Sequence, residues 1–135
     1  MNYMKTPSIL FFLLFMITAV FSQNNMQEAK RMLVEGDNLL VAGDLDKAMQ
    51  RYTQAINIDE DFASAYMKRA SLHAMMGNNA LALRDYDKAI ALNPYTEYLY
   101  DSRAKIKLLD LDYEGAMLDF NEALELNPKN FDVLR

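Results

Sequence analysis

The chain has 135 residues, 52% of them hydrophobic, a formal charge of −5 and no cysteine. That length suits one domain, and the apolar share is enough for a packed core. Lack of cysteine excludes disulfides, thiolate metal sites and cysteine nucleophiles, and an acidic chain without a basic cluster repels phosphate backbones, so no nucleic-acid partner is expected.

The N-terminal segment comes first. Lys5 carries its only charge, residues 9–21 are apolar but for Thr18, and Ser22 places a small residue before polar Gln23, Asn24 and Asn25. A membrane-spanning helix needs about 20 apolar residues, more than this run of 13 supplies. The pattern predicts a secretory signal peptide over residues 1–22, cleaved after Ser22, with an uncleaved anchor as the competing reading. Cleavage leaves no stable membrane span and an exported chain, periplasmic or secreted. It removes only Lys5 from the charge balance, so the remainder stands at about −6. A lipid anchor would need a cysteine. Residues 23–28 are a short leader.

After the leader, three stretches align at a spacing of 34: residues 29–62, 63–96 and 97–130. Gly36, Ala70 and Ala104 share one column, and Ala48, Ala82 and Ala116 another. Tyr52, Tyr86 and Phe120 follow four residues on, then Ala55, Ala89 and Ala123 with Ile56, Ile90 and Leu124 behind them. The second and third units close with Asn93-Pro94 and Asn127-Pro128, whereas Glu60 stands where the first would have its proline. Apolar spacing within each unit predicts two helices: 27–41 and 45–58, 63–76 and 80–92, then 97–109 and 113–126. Gly43 and Gly77 mark the turns between them, Leu111 occupies the third turn position, and Pro94 and Pro128 end the second helix of their units. Small residues suit a close helix crossing, so Gly36 is expected to face Ala48, Ala70 to face Ala82, and Ala104 to face Ala116.

A period of 34 with this order of small, aromatic and proline positions resembles the tetratricopeptide repeat. The resemblance implies an all-α fold, a right-handed α-solenoid of three helix-turn-helix repeats covering residues 29–130. It also implies a concave surface lined by the first helix of each unit. Lys30, Leu33, Asp37, Leu40 and Val41 would come from the first unit, Ser64, Met67, Ser71, Ala74 and Met75 from the second, and Tyr98, Asp101, Lys105, Leu108 and Leu109 from the third. One subclass of the family clamps the C-terminal carboxylate of a chaperone tail with lysine, asparagine and arginine. The matching positions here hold Leu33, Asp37, Lys68, Tyr98 and Ser102, so that activity does not carry over. The expected partner is a protein or peptide, bound by a non-enzymatic interaction module. The alternative is a structural fragment, the N-terminal part of a longer array or scaffold.

Charged columns add a reading of their own. Arg69 and Arg103 precede Asp85 and Asp119 by 16 residues, and in the first unit the signs exchange, Glu35 preceding Arg51. Pairing within units gives opposite charges each time, so Glu35–Arg51, Arg69–Asp85 and Arg103–Asp119 are expected as intra-repeat ion pairs. If exposed, each contributes about 0.2–1 kcal/mol.

No phosphate-binding glycine loop, nucleophile elbow or HExxH run occurs, so neither an enzyme nor a cofactor is expected. The lone histidine, His73, reads as a packed helix residue. The competing reading is a soft-metal site with Met75 and Met76. At the C-terminal end, Met117, Phe120, Ala123 and Leu124 leave an apolar side awaiting a neighbour, and residues 131–135 look like the start of a fourth unit or a truncated cap. Self-association through the C-terminal helix pair, a docked partner or a longer chain would each satisfy it.

Overall fold

The computed structural model describes residues 8–128, which form six α-helices and no strand. They are α1 (Ser8–Val41), α2 (Leu45–Ile58), α3 (Ala63–Met75), α4 (Asn79–Leu92), α5 (Glu97–Leu109) and α6 (Tyr113–Leu126). The expected fourth unit at 131–135 lies outside the described residues. Odd-numbered helices pack on the even-numbered helix that follows, and each even helix packs on the next odd one.

The turns show why the pairs close so tightly. In the first, the Gly43 N–H donates to Leu40 O and the Asp44 N–H to Leu39 O, with Gly43 at φ 83°. Gly77 and Asn78 repeat both bonds to Ala74 and His73, and Leu111 and Asp112 repeat them to Leu108 and Lys107. This pair of bonds requires a left-handed residue at its centre, and Leu111 adopts it at φ 63° at a cost of about 1–2 kcal/mol relative to glycine. Asp44 and Asp112 then cap α2 and α6 by accepting from Lys47 N and Gly115 N. Where the first unit lacks its proline, the Asp61 N–H donates to Asp59 Oδ1, and this side-chain turn ends α2.

One departure from expectation concerns α1. The first helix does not start near residue 27. It begins at Ser8 and runs unbroken for 34 residues, about 51 Å at 1.5 Å per residue, because neither glycine nor proline interrupts residues 8–35. The leader is therefore helical. Residues 8–28 are exposed apart from half-buried Ala19, and α1 buries only Ala29, Met32 and Gly36. At Gly36 a built Cβ would lie 2.5 Å from Cε1 of Tyr52, so the tyrosine ring needs the space that glycine leaves. Tyr52 is fully buried as a result.

The core follows the repeat columns. Ala48, Ala82 and Ala116 are fully buried, as are Ala55, Ala89 and Ala123, and Ala70 and Ala104. Met32, Ile56, Tyr66, Tyr86, Leu99 and Ile106 join the main cluster, while Tyr52 and Leu72 form a second with Ala48. Full burial of a leucine such as Leu72 contributes about 1.5–3 kcal/mol.

Ion pairs tie this scaffold together. Arg69 donates through Nε and Nη2 to the two Asp85 oxygens at 2.7 and 2.8 Å, and Arg103 grips Asp119 the same way at 2.8 and 2.6 Å. Glu35 and Arg51 approach to 3.1 Å, and Glu35 is shared with Arg31. The surface-pair energy does not apply to two of the three, since Asp85 and Asp119 are only 5% and 4% exposed. Each of these arginines also reaches back to the preceding repeat: Arg69 Nη1 donates to Thr53 Oγ1 at 3.3 Å, and Arg103 Nη1 to Asp87 at 2.6 Å. Lys107 approaches Asp119 at 2.9 Å. Burial opposes ionisation of Asp119, but hydrogen bonds from Arg103 and Lys107 outweigh it and hold its pKa below the usual carboxylate value.

His73 occupies the repeat column of Lys107. Its Nε2 lies 3.9 Å from Asp85, its Nδ1 is buried without a partner, and Met75 and Met76 are exposed. Among the described residues no group of three or more His, Asp or Glu is placed to hold a metal. Burial lowers the His73 pKa, Asp85 partly offsets this, and Arg69 adds to it.

Two measurements test these contacts. Arg69→Met leaves a buried carboxylate unpaired and should cost about 3–5 kcal/mol in urea unfolding, little changed by salt. Glu35→Gln should cost no more than about 1 kcal/mol and lose its effect in high salt. Equal, equally screened costs would show that burial of Asp85 carries no energetic weight. For His73, a pKa lowered on folding means that its stabilisation is complete above the unfolded value near 6.5 and falls as pH drops toward the folded value. His73→Leu should flatten stability across that window. An unchanged slope would place the pH dependence elsewhere.

Candidate functional site: the face of α1, α3 and α5

The residues expected on a concave surface all lie on α1, α3 and α5. Lys30, Met75, Tyr98 and Lys105 are exposed, and Asp37, Ser71 and Asp101 are half-buried. Leu33, Met67 and Ala74 turn partly inward against the main cluster, and Leu40 against the second. Val41 is 90% exposed at the end of α1.

Asp37 is the polar centre of the first unit. It accepts from the Tyr52 hydroxyl at 2.7 Å and lies 3.1 Å from Lys68 Nζ, so one carboxylate joins α1, α2 and α3. The next unit repeats the geometry without a charge. The Tyr86 hydroxyl sits 3.0 Å from Ser71 Oγ. In the third unit Phe120 has no hydroxyl to offer, and Lys105 pairs with Asp101 at 2.5 Å instead. Asp37, Ser71 and Lys105 thus occupy one column and meet three different partners.

The electrostatics follow from these contacts. Burial, then the bond to Asp37 and its charge, raises the Tyr52 pKa, which keeps that hydroxyl a donor. Burial likewise raises Tyr86. The Asp101 carboxylate raises Lys105, so its ammonium stays charged. Each carboxylate on this face already holds a lysine, and the face is close to neutral. Such a surface can align an extended segment or a helix by hydrogen bonds and by adaptable contacts from Met67 and Met75.

The positions that would form a carboxylate clamp are committed to other contacts. Leu33 packs into the core, Lys68 is held by Asp37, and Ser102 is nearly buried. Tyr98 is half exposed but carries no positive charge. The aromatic column locates Tyr52 and Tyr86 in the sequence but not their hydroxyl contacts with this face. The available signal was the 15-residue interval from Asp37 to Tyr52 and from Ser71 to Tyr86.

Comparison with known proteins gives the same architecture. A family model described as TPR repeat matches residues 36–77, and one described as Tetratricopeptide repeat matches residues 63–96. The chain is 34% identical over 104 residues to DnaJ homolog subfamily C member 3 of Gallus gallus, covering 76% of this chain and 20% of that protein. It is 36% identical over 74 residues to Tetratricopeptide repeat protein 36 of Mus musculus, covering 55% of this chain and 40% of that one. The chain thus spans well under half of either relative. Among solved structures, the first TPR of Spaghetti (RPAP3) bound to the HSP90 peptide SRMEEVD is 28% identical with a TM-score of 0.75, over 78% of this chain and 84% of that one. The Arabidopsis OM64 TPR domain is 27% identical with a TM-score of 0.75, over 79% and 88% of the two chains. Three like helix pairs and these structural likenesses establish an all-α helical repeat fold among the described residues, and residues 36–96 match models of the tetratricopeptide repeat.

Proposed function

We propose that this chain is an exported, non-enzymatic module that holds a protein or peptide segment on the face of α1, α3 and α5. The observation that carries the reading is the self-neutralised Asp37–Lys68–Tyr52 cluster at the centre of that face. The RPAP3 domain of similar fold is bound to a peptide ending in acidic residues. Here Lys68, the one basic residue at the clamp positions, is held by Asp37, which would also repel a ligand carboxylate. The partner of this face is therefore an uncharged or mixed-charge segment rather than an acidic tail. The second reading, a structural unit within a longer array, is favoured by the open apolar side of α6.

Two experiments test the proposal. A photo-crosslinker at Tyr98 or Met75 should capture the same partner, whereas one at exposed Leu81 on α4 should not. The peptide SRMEEVD should fail to compete. Competition by SRMEEVD, or capture from Leu81 alone, would overturn the assignment of this face. Export rests on the apolar segment before Gln23, none of whose described residues is buried, so its removal leaves the core intact. Intact mass of the exported protein should fit a chain beginning at Gln23. Full-length chain recovered in the membrane fraction would sink both cleavage and the soluble state.

A further inference from the structure

The outer side of α6 is the third copy of a surface that the molecule covers twice. Met49 and Leu83, in the column of Met117, are partly buried against the core, but Met117 is 65% exposed. Ile56 is buried and Ile90 partly so, yet Leu124 of the same column is 38% exposed. Tyr113 is 63% exposed beside them. Residues 113, 117, 120 and 124 follow helical spacing and form one apolar stripe.

The charge beside this stripe is of one sign. α6 carries Glu114, Asp119, Glu122 and Glu125 and no lysine or arginine. Asp119 is taken by Arg103 within the third unit, and Glu122, two residues from both Phe120 and Leu124, lies on the α5 side near Tyr100, but Glu114 and Glu125 flank the stripe and are exposed. The helices that cover the two internal copies supply the opposite charge. α3 bears Lys68 and Arg69 with no carboxylate, and α5 has three basic residues against two acidic ones. Their arginines reach back to Thr53 on α2 and Asp87 on α4. The third residue of that column is Asn121, which has no following arginine among the described residues.

We propose that α6 docks a basic amphipathic helix of a partner protein, seated as α3 sits on α2 and α5 on α4. Both internal covering helices share a pattern: Ala65, Arg69 and Leu72 in α3, and Leu99, Arg103 and Ile106 in α5. The partner helix carries a small or aliphatic residue, an arginine four positions on and an aliphatic three further. Its arginine meets Asn121 and the glutamates, and its aliphatic residues cover Met117 and Leu124.

Further copies of the chain fit this surface poorly. Two α6 helices facing each other would bring Glu114 and Glu125 of both copies together. Head-to-tail stacking would use α1, where Arg31 and Asn38 occupy the columns of buried Ala65 and Leu99 and of Leu72 and Ile106. Arg31 is already held by Glu28 and Glu35.

The molecule supplies its own probe. A peptide of the α3 sequence, Ala63–Met75, is end-capped and held helical by a side-chain lactam, since 13 residues alone form a marginal helix. It should bind the full chain saturably, and the peptide with Lys68→Glu and Arg69→Glu should bind at least tenfold more weakly, about 1.4 kcal/mol. In the chain, Met117→Glu should abolish binding without altering the helical spectrum, because the residue is exposed. Glu114→Lys with Glu125→Lys should reverse the preference between peptides, while Tyr98→Glu on the opposite face should change nothing. Equal binding of both peptides, no binding of either, or indifference to Met117→Glu would overturn the proposal. So would a dimer that Met117→Glu dissociates, or binding that requires removal of residues 129–135.

Discussion

Each buried guanidinium–carboxylate fork in this chain joins three helices at once. Arg69 grips Asp85 across its own helix pair and still reaches Thr53 in the unit before, and Arg103 repeats the arrangement with Asp119 and Asp87. Alanine columns let the helices approach, but small apolar residues specify little about rotation. A planar fork on a fixed carboxylate fixes both the rotation and the register of the helices it joins. Burying such a pair carries a desolvation cost, so its net stabilisation is modest, while losing one partner is severe. The forks therefore act chiefly as alignment devices, and the turns and core are built around them.

The first unit departs from that rule in a way that bears on the proposed face. Glu35 and Arg51 carry the exchanged charges, stay more than one-third exposed and share contacts with Arg31 and Gln54. Alignment there falls to another contact, the Tyr52 ring lying against Gly36 with its hydroxyl on Asp37. The Asp37–Lys68 pair then links the first unit to the second, as the arginines do at the later junctions. Because these contacts also neutralise the face of α1 and α3, the junction that holds the units together decides which ligand charge the face can accept.

Periodicity made much of this legible in the sequence. Columns spaced by 34 locate five of the six helices to within a residue or two, and the charge columns identify which side chains face each other. What escaped was depth and reach. A column of arginines does not say whether its carboxylate lies partly at the surface, as Glu35 beside Arg51 does, or beneath it, as Asp85 does. Nor does an aromatic column distinguish a ring that fills space from one whose hydroxyl emerges on the far side, as those of Tyr52 and Tyr86 do. The start of α1 escaped because signal-like composition marks a processing segment while residues 8–35 contain nothing that breaks a helix. Nor does the sequence show that a Cβ at Gly115 would collide with the Asp112 carboxylate that caps α6.

Continuity of α1 sets a condition on the proposed cut. Ser22 and Gln23 lie within one helix, so a protease that needs an extended substrate must meet the segment before this helix has formed or after it has unwound locally. Unwinding there disrupts little, because no described residue before Ala29 is buried. The cut itself changes the electrostatics more than the packing. It would place a free ammonium at the start of a helix, where the aligned peptide dipoles already present positive charge. Cyclisation of Gln23 would remove that ammonium and relieve the repulsion. The helix from residue 23 onward would then keep every residue that α1 buries, and its first carboxylate, Glu28, already holds Arg31 in the next turn.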